Sequence, residues 1–338
     1  MISVSLISYN SPEVTIRAIK SILIHLIKEV NEFEFIVVDN ASTEDNVNLI
    51  REQFSDVKLI VLNENIGFAR AHNLAIKSSQ GEVIVIANSD VIICEEGVFN
   101  SIESKFQSHP EIGAIAPLIV DARGLPSPSS RDIMIYSLKS TMLSVLNSIF
   151  PMVNRDKASK MPKVIKNIVF SGHESAHPNF QSRYVRWVDG MFVAFRRDAL
   201  IENGLFDEFY FFDHEIGDLL LRIARKYKIY YDASCKIMHL GGYSRSKNPK
   251  IIKSSILGYI HFIYNNKREY YRVISYEIII LSKMKSAMSK IRQRDEESKI
   301  WEEILQASSQ YMKNPVMAAS NTPSLEKISS TQRGSNYE

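Results

Sequence analysis

The sequence is poor in the features that mark secreted, disulfide-stabilised or membrane-spanning proteins. It has two cysteines, Cys94 and Cys235, and neither has a metal-ligand spacing, so we expect thiols rather than a disulfide framework or a zinc site. The start, MISVSLISYN, has no basic segment and no long apolar segment, so no signal peptide is expected. No window reaches about 18 uninterrupted apolar residues, so no transmembrane helix is expected. These absences favour a cytoplasmic protein.

Internal repeats are also absent, and the composition is that of a globular protein. The 338 residues are 45% hydrophobic and 23% charged, which allows one large domain or two ordinary ones. The net charge is only +3, but between Tyr243 and Arg294 twelve Lys and Arg residues stand against Glu269 and Glu277. The rest of the chain therefore carries a net charge of about −7, which indicates a basic face on an acidic body. No nucleic-acid-binding motif accompanies this charge, so nucleic acid is not expected as a partner.

Strand and helix patterns alternate over roughly the first 120 residues. The apolar runs ISVSLIS, FEFIVVD, VKLIVLN and EVIVIANSD predict strands, and the near-continuous ones are typical of strands that are covered on both faces. Helical spacing follows in SPEVTIRAIKSILIHLIKEV, in residues 45–54 and in GFARAHNLAIKSS. Ser11 is a natural N-cap of the first helix, and Pro12 fits its first position. This alternation predicts an α/β fold with a mostly parallel central sheet flanked by helices.

The second part of the chain is less regular. DARGLPSPSSRD predicts a loop, residues 133–181 are irregular with one predicted helix at 136–150, and YVRWVDGMFVAFRRDAL predicts a strand running into a helix. EIGDLLLRIARKY is an amphipathic helix pattern, and KIYYDASCKIMHLGG predicts either two short strands or one long bent strand. Residues 250–312 have a helical pattern, and the polar segment beyond residue 313 predicts a disordered tail.

Two carboxylates each end an apolar strand. Asp39 closes the second predicted strand, and Asp90 closes the fourth in IANSDV. Each alone is compatible with an ordinary surface turn. Parallel strands would place both on one edge of the sheet, where open α/β sheets bind ligands. Together they indicate a polar cleft.

The stretch NENIGFARAHN lies between these two strand ends. Gly67 can supply a special backbone angle or a close approach at a helix start. Free N–H groups at that start, with Arg70 and His72 adding positive charge, would suit a phosphate. The alternative is an ordinary capped helix.

The motifs together resemble a known family. VSLISYNSPEVTIRAIKSI, FIVVDNAST, NENIGFARAHNLAI and VIVIANSDV look like successive motifs of family-2 inverting glycosyltransferases with the A-type nucleotide-sugar fold. VDGMFVAFRRDALIENGLFDEFYFF, EIGDLLLR and IMHLGGYSRS resemble acceptor-side motifs of the bacterial rhamnosyltransferase-like branch. The resemblance implies a catalytic domain over residues 1–246, with a nucleotide-sugar half at 1–120 and an acceptor half at 121–246. A basic helical extension (247–312) and a tail (313–338) would follow.

The resemblance implies a divalent cation, Mg²⁺ or Mn²⁺, that offsets charge on the leaving diphosphate. Such ions favour oxygen ligands and take as few as one or two carboxylates plus phosphates. The family's Asp-X-Asp motif falls on Asn88-Ser89-Asp90, which makes Asp90 the principal metal ligand. His239 matches a histidine that completes the metal site in some relatives.

Other residues match positions that contact the donor or the acceptor. Asp39 matches the residue that hydrogen-bonds the base, and a carboxylate can accept from the imide N–H of uracil or thymine. The remaining substrate-binding candidates are Ser8, Tyr9, Asn10, Asn65, Gly67, Arg70, Asn88, Asp189 and Gly190.

The match fails at the general base. The family's Glu-Asp-X-Asp-Leu pattern aligns with Glu215-Ile216-Gly217-Asp218-Leu219, so the usual base is replaced by Ile216. Glu215 is one substitute, with the positive end of the helix dipole expected to favour its ionised form. Asp218 or Asp213 is another, although Asp218 also suits a helix anchor. The third alternative is a chain without efficient transferase activity.

The resemblance implies sugar transfer, rhamnose favoured, from a pyrimidine nucleoside diphosphate donor to a lipid-linked glycan acceptor such as an O-antigen or capsule precursor. The alternatives are a non-catalytic sugar-nucleotide or glycan-binding relative and a nucleotidyltransferase, although SYNSPEVT lacks the Gly-rich basic loop of the latter. The segment YYRVISYEIIILSKMKSAMSKIRQR predicts either binding to an anionic membrane surface or a helix packed on the catalytic domain. Nothing in the sequence indicates an oligomeric state.

Overall fold

A computed structural model describes residues 1–127, 129–131, 180–241 and 249–315. The helix predicted at 136–150 and nearly all of the predicted tail lie outside these described residues.

The amino-terminal part alternates strands and helices, as predicted. Its elements are β1 (Ile2–Ser8), α1 (Pro12–Glu29), β2 (Phe33–Asp39), α2 (Glu44–Gln53), β3 (Lys58–Val61), α3 (Phe68–Lys77) and β4 (Val83–Ala87). The strands β3, β2, β1 and β4 lie side by side and are all parallel. Val37 of β2 packs in one cluster with Ile19 of α1, whereas Ile36 and Val38 pack with Ala71 of α3. Helices on both faces therefore explain the continuous apolar runs.

The next part adds strands of two to twelve residues and three helices. These are β5 (Val91–Ile93), α4 (Val98–Ser108), β6 (Ile112–Val120), β7 (Ser130–Arg131), β8 (Arg183–Val185), β9 (Trp187–Val188), β10 (Phe192–Arg196), α5 (Arg197–Glu202), α6 (Glu215–Ile223) and β11 (Lys228–His239). The order of the main sheet is β3-β2-β1-β4-β10-β6-β11-β5, with β8 also paired to β11. β10 is antiparallel to both of its neighbours, β6 and β11 are parallel, and β7 pairs with β9 apart from the main sheet. The sheet is mixed but mostly parallel, which confirms the predicted fold class.

The structure of β11 decides between the two short strands and the one long bent strand that the sequence left open. It is a single strand of 12 residues, but its register with β6 shifts twice, between Lys228 and Ile229 and again between Asp232 and Lys236. These irregularities bend the strand, as β-bulges do. KIYYDASCKIMHLGG therefore forms one long bent strand, which carries His239 to the edge that Asp90 occupies.

Three long helices complete the described chain: α7 (Pro249–Asn266), α8 (Arg268–Ile291) and α9 (Asp295–Lys313). Phe262 and Ile263 of α7 are fully buried in the same apolar cluster as Phe195 of β10 and Leu219 of α6. The helices therefore share a core with the sheet. Within the described residues, none of the helices is both long and apolar enough to cross a membrane.

A buried polar network joins these helices to the segment before α6. Nε2 of His261 lies 2.8 Å from Asp207 Oδ2, and its Nδ1 lies 2.9 Å from the Tyr311 hydroxyl. Burial alone would raise the pKa of Asp207, but hydrogen bonds from His261 and the Phe209 N–H hold it below its ordinary value. The network connects α7 and α9 to the loop that leads into α6.

Candidate active site

The turn after β4 brings two predicted metal ligands together. Asp90 immediately precedes β5, and the antiparallel pairing of β5 with β11 sets Val91 opposite His239. The Leu240 N–H donates to the Asp90 carbonyl at 2.9 Å. As a result, Nε2 of His239 lies 3.1 Å from Oδ2 of Asp90. IANSDV thus forms a turn between two strands, and this turn aims a carboxylate at a histidine.

The environment of Asp90 fits a cation. The residue is 1% exposed, and neither carboxylate oxygen accepts a hydrogen bond from the described residues. A buried carboxylate is costly unless a charge or donor faces it, and the ion-pair partner that the described residues supply is His239. Among the described residues no group of three or more His, Cys, Asp and Glu side chains gathers. The chain would therefore supply Asp90 and His239, leaving the other positions to water and phosphate oxygens, as Mg²⁺ and Mn²⁺ accept.

Asp39 and Ser8 form a second polar pair on the same edge. They are register partners at the ends of parallel strands β2 and β1, and both are buried. Oδ1 of Asp39 accepts the Ser42 N–H at 2.8 Å, which fixes the carboxylate. Oδ2 of Asp39 and Oγ of Ser8 have no hydrogen-bond partner among the described residues. A buried carboxylate oxygen and a hydroxyl are thus left for a ligand such as a base.

Asn40 holds this part of the site together, and it was missed as a functional residue. Its Nδ2 donates to Asn65 Oδ1 at 2.9 Å, and its Oδ1 accepts the Ile66 N–H at 2.9 Å. Oδ1 of Asn65 also accepts the Gly67 N–H at 3.0 Å. These two hydrogen bonds orient the Asn65 side chain. The position of Asn40 beside Asp39 in VVDNAST was the sequence feature from which its role could have been predicted.

Tyr9 and Asn10 lie at the rim beyond β1. Tyr9 is 49% exposed, so its ring is open to a ligand. Asn10 has a φ of +47°, and its N–H donates to Ser42 Oγ at 2.9 Å. Its Oδ1 accepts the Thr43 N–H at 3.2 Å. Asn10 thus ties the end of β1 to the loop after Asp39.

Gly67 is required by its surroundings, as expected. Its φ is +84°, and an added Cβ would lie 2.5 Å from the Phe211 ring. The next N–H, that of Phe68, donates to the Phe211 carbonyl at 2.8 Å. The Phe68 N–H is therefore not free to bind a phosphate. The prediction of free N–H groups at the start of α3 was wrong for this residue. The contact also places the segment before α6 beside Gly67.

His72 does not supply positive charge, so that prediction was wrong. The residue is fully buried, and its Nδ1 lies 2.7 Å from Ser5 Oγ on β1. Burial lowers the pKa of His72 to about 3, so the ring is neutral. Arg70 is 41% exposed and its Nε lies 3.8 Å from Glu208 Oε2. A loose exposed ion pair of this kind leaves Arg70 able to turn toward an anion.

Asp189 and Gly190 lie where β9 turns toward β10. The Asp189 N–H donates to the Ser129 carbonyl at 2.8 Å, and Asp189 Oδ1 accepts from the Trp187 indole at 3.4 Å. An added Cβ on Gly190 would lie 2.5 Å from Ile216 Cγ1. Ile216 is therefore packed against Gly190. The position that the resemblance assigns to the base is filled by an apolar contact.

The same contacts connect the turn after β4 to α6. The Asn88 N–H donates to the Met191 carbonyl at 2.9 Å, and Met191 follows the Gly190 that packs on Ile216. The segment 211–216 thus touches Gly67 at one end and reaches the neighbourhood of Asn88 at the other.

Glu215 is the first residue of α6, and it is buried. Its Oε2 has no hydrogen-bond partner within the described part of the chain. Burial raises the pKa of Glu215 to about 8, and the nearby charge of Asp213 adds to this rise. The expectation that the helix dipole keeps Glu215 ionised was wrong, because desolvation outweighs the dipole.

Asp218 and Asp213, the other two candidates for the base, both accept hydrogen bonds from other side chains. Oδ2 of Asp218 accepts from Arg222 Nε at 2.9 Å, and its Oδ1 accepts from Asn266 Nδ2 at 3.0 Å. These bonds favour the anchoring role considered for Asp218. Oδ2 of Asp213 accepts from Ser255 Oγ of α7 at 2.8 Å. Asp213 and the next residue both have positive φ, +69° and +73°, an uncommon pair for residues with side chains.

The fold is similar to that of proteins of known structure. Proteins of known structure with a similar fold include GalNAc-T7 bound to UDP, GalNAc and Mn²⁺, with a TM-score of 0.54 and 12% identity over 96% of this chain and 58% of that one. A mannosyltransferase from Pyrobaculum calidifontis, bound to GDP-mannose and Mn²⁺, has a TM-score of 0.50 and 14% identity over 93% of this chain and 87% of its own. The protein therefore shares its fold with these two structures, which agrees with the predicted A-type architecture.

Sequence comparison gives a family match over less than half of the chain and a similar protein over a longer part of it. Residues 3–153 match the model for glycosyl transferase family 2. The chain is 25% identical over 227 residues to an N-acetylglucosaminyl-diphospho-decaprenol L-rhamnosyltransferase of Mycobacterium tuberculosis, covering 63% of this chain and 68% of that protein. The chain is therefore similar in sequence to family-2 glycosyltransferases and to a rhamnosyltransferase, in agreement with the resemblance found in its motifs, and these similarities support a transferase.

Proposed function

We propose that the protein transfers a sugar, with inversion, from a pyrimidine nucleoside diphosphate donor to a hydroxyl of a lipid-linked glycan in bacterial surface polysaccharide synthesis. The observation that carries this proposal is the buried, unbonded carboxylate of Asp90 beside His239, on the sheet edge that also bears Asp39. Rhamnose is the favoured sugar, because the mycobacterial relative is named as an L-rhamnosyltransferase acting on a lipid diphosphate.

The residues divide the work along the sheet edge. Asp39 Oδ2 would accept the imide N–H of the base, with Ser8 and Tyr9 beside it. Asp90 and His239 would hold a divalent cation, which when bound supplies charge stabilisation to the leaving diphosphate. Arg70 would contribute a guanidinium to the same phosphates.

The acceptor hydroxyl needs a proton acceptor as it attacks the anomeric carbon. Glu215 is the proposed base, because it adjoins the vacated position at Ile216 and its Oε2 has no protein partner. Asp213 is less suited, since Ser255 already donates to it, and Asp218 is bound by Arg222 and Asn266.

A non-catalytic sugar-nucleotide or glycan-binding protein is the second candidate. It is favoured by one specific observation, the packing of Ile216 against Gly190 where a base would stand in relatives. In this case nucleotide binding would persist without transfer.

A donor screen tests the proposed reaction. The full chain with Mn²⁺ and a polyprenyl-diphosphate-linked N-acetylglucosamine is offered dTDP-rhamnose, UDP-sugars and GDP-mannose in turn, and release of the nucleoside diphosphate is measured. Acceptor-dependent release from a pyrimidine donor, with the anomeric configuration inverted in the product, is expected. Binding of donors without release from any of them would instead support the non-catalytic candidate.

Nucleotide preference is a separate prediction. UDP and dTDP should bind more tightly than ADP and GDP by about tenfold or more, because a hydrogen bond to a charged group contributes about 1.5–3 kcal/mol. Calorimetric titration with Mn²⁺ measures the four affinities. Asp39→Ala should abolish the preference, whereas Asp45→Ala, which removes an exposed acid on α2, should retain it. Purine nucleotides binding as tightly as pyrimidine nucleotides would refute the role of Asp39.

A further inference from the structure

The helix α8 has one side that no described part of the protein covers. Its buried side, which includes Ile274, Ile278 and Ser282, packs toward α7 and α9. Large apolar side chains are exposed on the other side, with Tyr276 at 58%, Ile280 at 53% and Ile291 at 82%. We call this side the outer face of α8; its apolar members are Tyr270, Val273, Tyr276, Ile280, Met284 and Ile291.

These apolar side chains form a continuous stripe. Val273, Ile280, Met284 and Ile291 recur at spacings of four and seven, which returns them to one side of a helix. Soluble proteins rarely leave such a stripe uncovered over several turns. The outer face is therefore an apolar contact surface that no described residue occupies.

Positive charge borders the stripe. Arg272 and Lys283 are exposed and three turns apart, so they lie along the same edge of it, and Arg292 follows at its end. None of the three forms an ion pair with another residue that the structure describes. Glu269 is the exposed acid of this helix, while burial raises the pKa of Glu277 and so favours its neutral form.

From this arrangement we infer that the outer face of α8 docks on the surface of an anionic phospholipid bilayer, with the stripe at the acyl boundary and the cations at the headgroups. An interfacial helix has this combination of an apolar stripe and Lys or Arg beside it. A second copy of the chain fits less well, because a two-fold contact through this face would bring like charges together. The neighbouring helix α9 exposes Glu302 and Glu303, so it would face away from the lipid.

The inference rests on the proposed function in that a lipid-linked acceptor brings the enzyme to a bilayer. Docking through α8 would hold the whole catalytic core at the membrane, since α7 and α8 share the core cluster with α6. The acceptor would then be met at the surface in which it is anchored.

Vesicle sedimentation tests the docking face with the full chain. The protein should pellet with vesicles of phosphatidylcholine mixed with phosphatidylglycerol, but not with phosphatidylcholine alone. Added salt should weaken the binding, because a Debye length of about 8 Å screens exposed charge at physiological ionic strength. Arg272→Gln with Lys283→Gln should lower the partition coefficient by about fivefold for each charge removed. Tyr276→Ser with Ile280→Ser should lower it at least as much.

The control uses another exposed apolar pair. Ile24→Ser with Ile27→Ser removes side chains that are 53% and 67% exposed on α1, and vesicle binding should not change. The inference would be overturned if the α1 variant lost as much vesicle binding as the outer-face variants. It would also be overturned if vesicle binding did not depend on lipid charge and salt. If the outer-face variants convert a dimer to a monomer by analytical ultracentrifugation without changing vesicle binding, the face is a contact between copies and the inference fails. UDP affinity, measured separately, reports on the proposed function, so either result can fail without the other.

Discussion

Replacing Asp90 with asparagine is expected to lower donor turnover by at least about a thousandfold while leaving the fold intact. The carboxylate is buried, bears no hydrogen bond among the described residues and lies 3.1 Å from the ring of His239. Asparagine has nearly the same shape but no charge to hold a divalent cation against a diphosphate. Loss of about 4 kcal/mol of charge stabilisation in the transition state corresponds to this factor.

Metal binding can be followed without activity. Mn²⁺ with UDP should raise the melting temperature of the unaltered protein, because a ligand that binds only the folded state stabilises it. Asp90→Asn should abolish this rise. Asp121→Asn is the matched control, since Asp121 also follows a strand but is bound to Arg123 at the surface. Retention of both turnover and the metal-dependent rise by Asp90→Asn would remove Asp90 from the metal site.

Glu215→Gln should lower turnover by about 10²–10⁴-fold, or about 3–5 kcal/mol of activation free energy, if Glu215 is the base. Burial raises the pKa of this carboxyl to about 8, so at pH 7 it is mostly protonated. Only the ionised form can accept a proton. The turnover of the unaltered enzyme should therefore rise as the pH is increased toward and through about 8, and the pH profile of kcat/KM measures this.

The same carboxyl should also make the protein less stable as the pH rises from about 4.5 to about 8. Below about pH 4.5 it is protonated in both the folded and the unfolded chain, so it costs nothing. Between about 4.5 and 8 the unfolded chain ionises while the folded chain stays protonated, and the free energy of unfolding falls with pH. Glu215→Gln lacks this titration. As the pH rises across this range, the melting temperature of the variant should therefore increase relative to that of the unaltered protein.

Asp218→Asn is the comparison for both measurements. It breaks a buried pair with Arg222 and should destabilise the fold by about 3 kcal/mol, with a smaller effect on turnover. Near-normal turnover in Glu215→Gln, with loss of turnover in Asp218→Asn at an unchanged melting temperature, would mean that the two roles are reversed.

The first half of the fold was predictable because its signals are local. Apolar runs such as FEFIVVD lie between two helical layers, and their ends are marked by polar residues, so each element is specified within its own segment. The placement of β10 between β4 and β6 was not predictable in this way. It depends on pairing between Phe192–Arg196 and strands far away in the sequence, and a short apolar run does not encode its partner.

In the candidate site too, some features could be predicted from the sequence and others could not. Asp39 and Asp90 could be placed on one edge from strand direction alone. His72 was misplaced although its spacing from Ala69 and Ala75 puts it on the apolar side of α3, where burial makes it neutral. Glu215 was expected to be ionised, yet it lies four residues before the fully buried Leu219, on the inward side of α6.

The pairing of β5 with β11 has a consequence for how the protein acquires its activity during synthesis. Strands β1 to β4 are contiguous in sequence and can assemble while the chain is still emerging from the ribosome. His239 reaches Asp90 only after β11 has been made and the long loop between them has been closed, at an entropic cost that grows with its length. A nascent chain in which β1 to β4 have already assembled would therefore lack His239, one of the two proposed metal ligands. With the proposed metal site, donor turnover would begin only once nearly the whole sheet had formed.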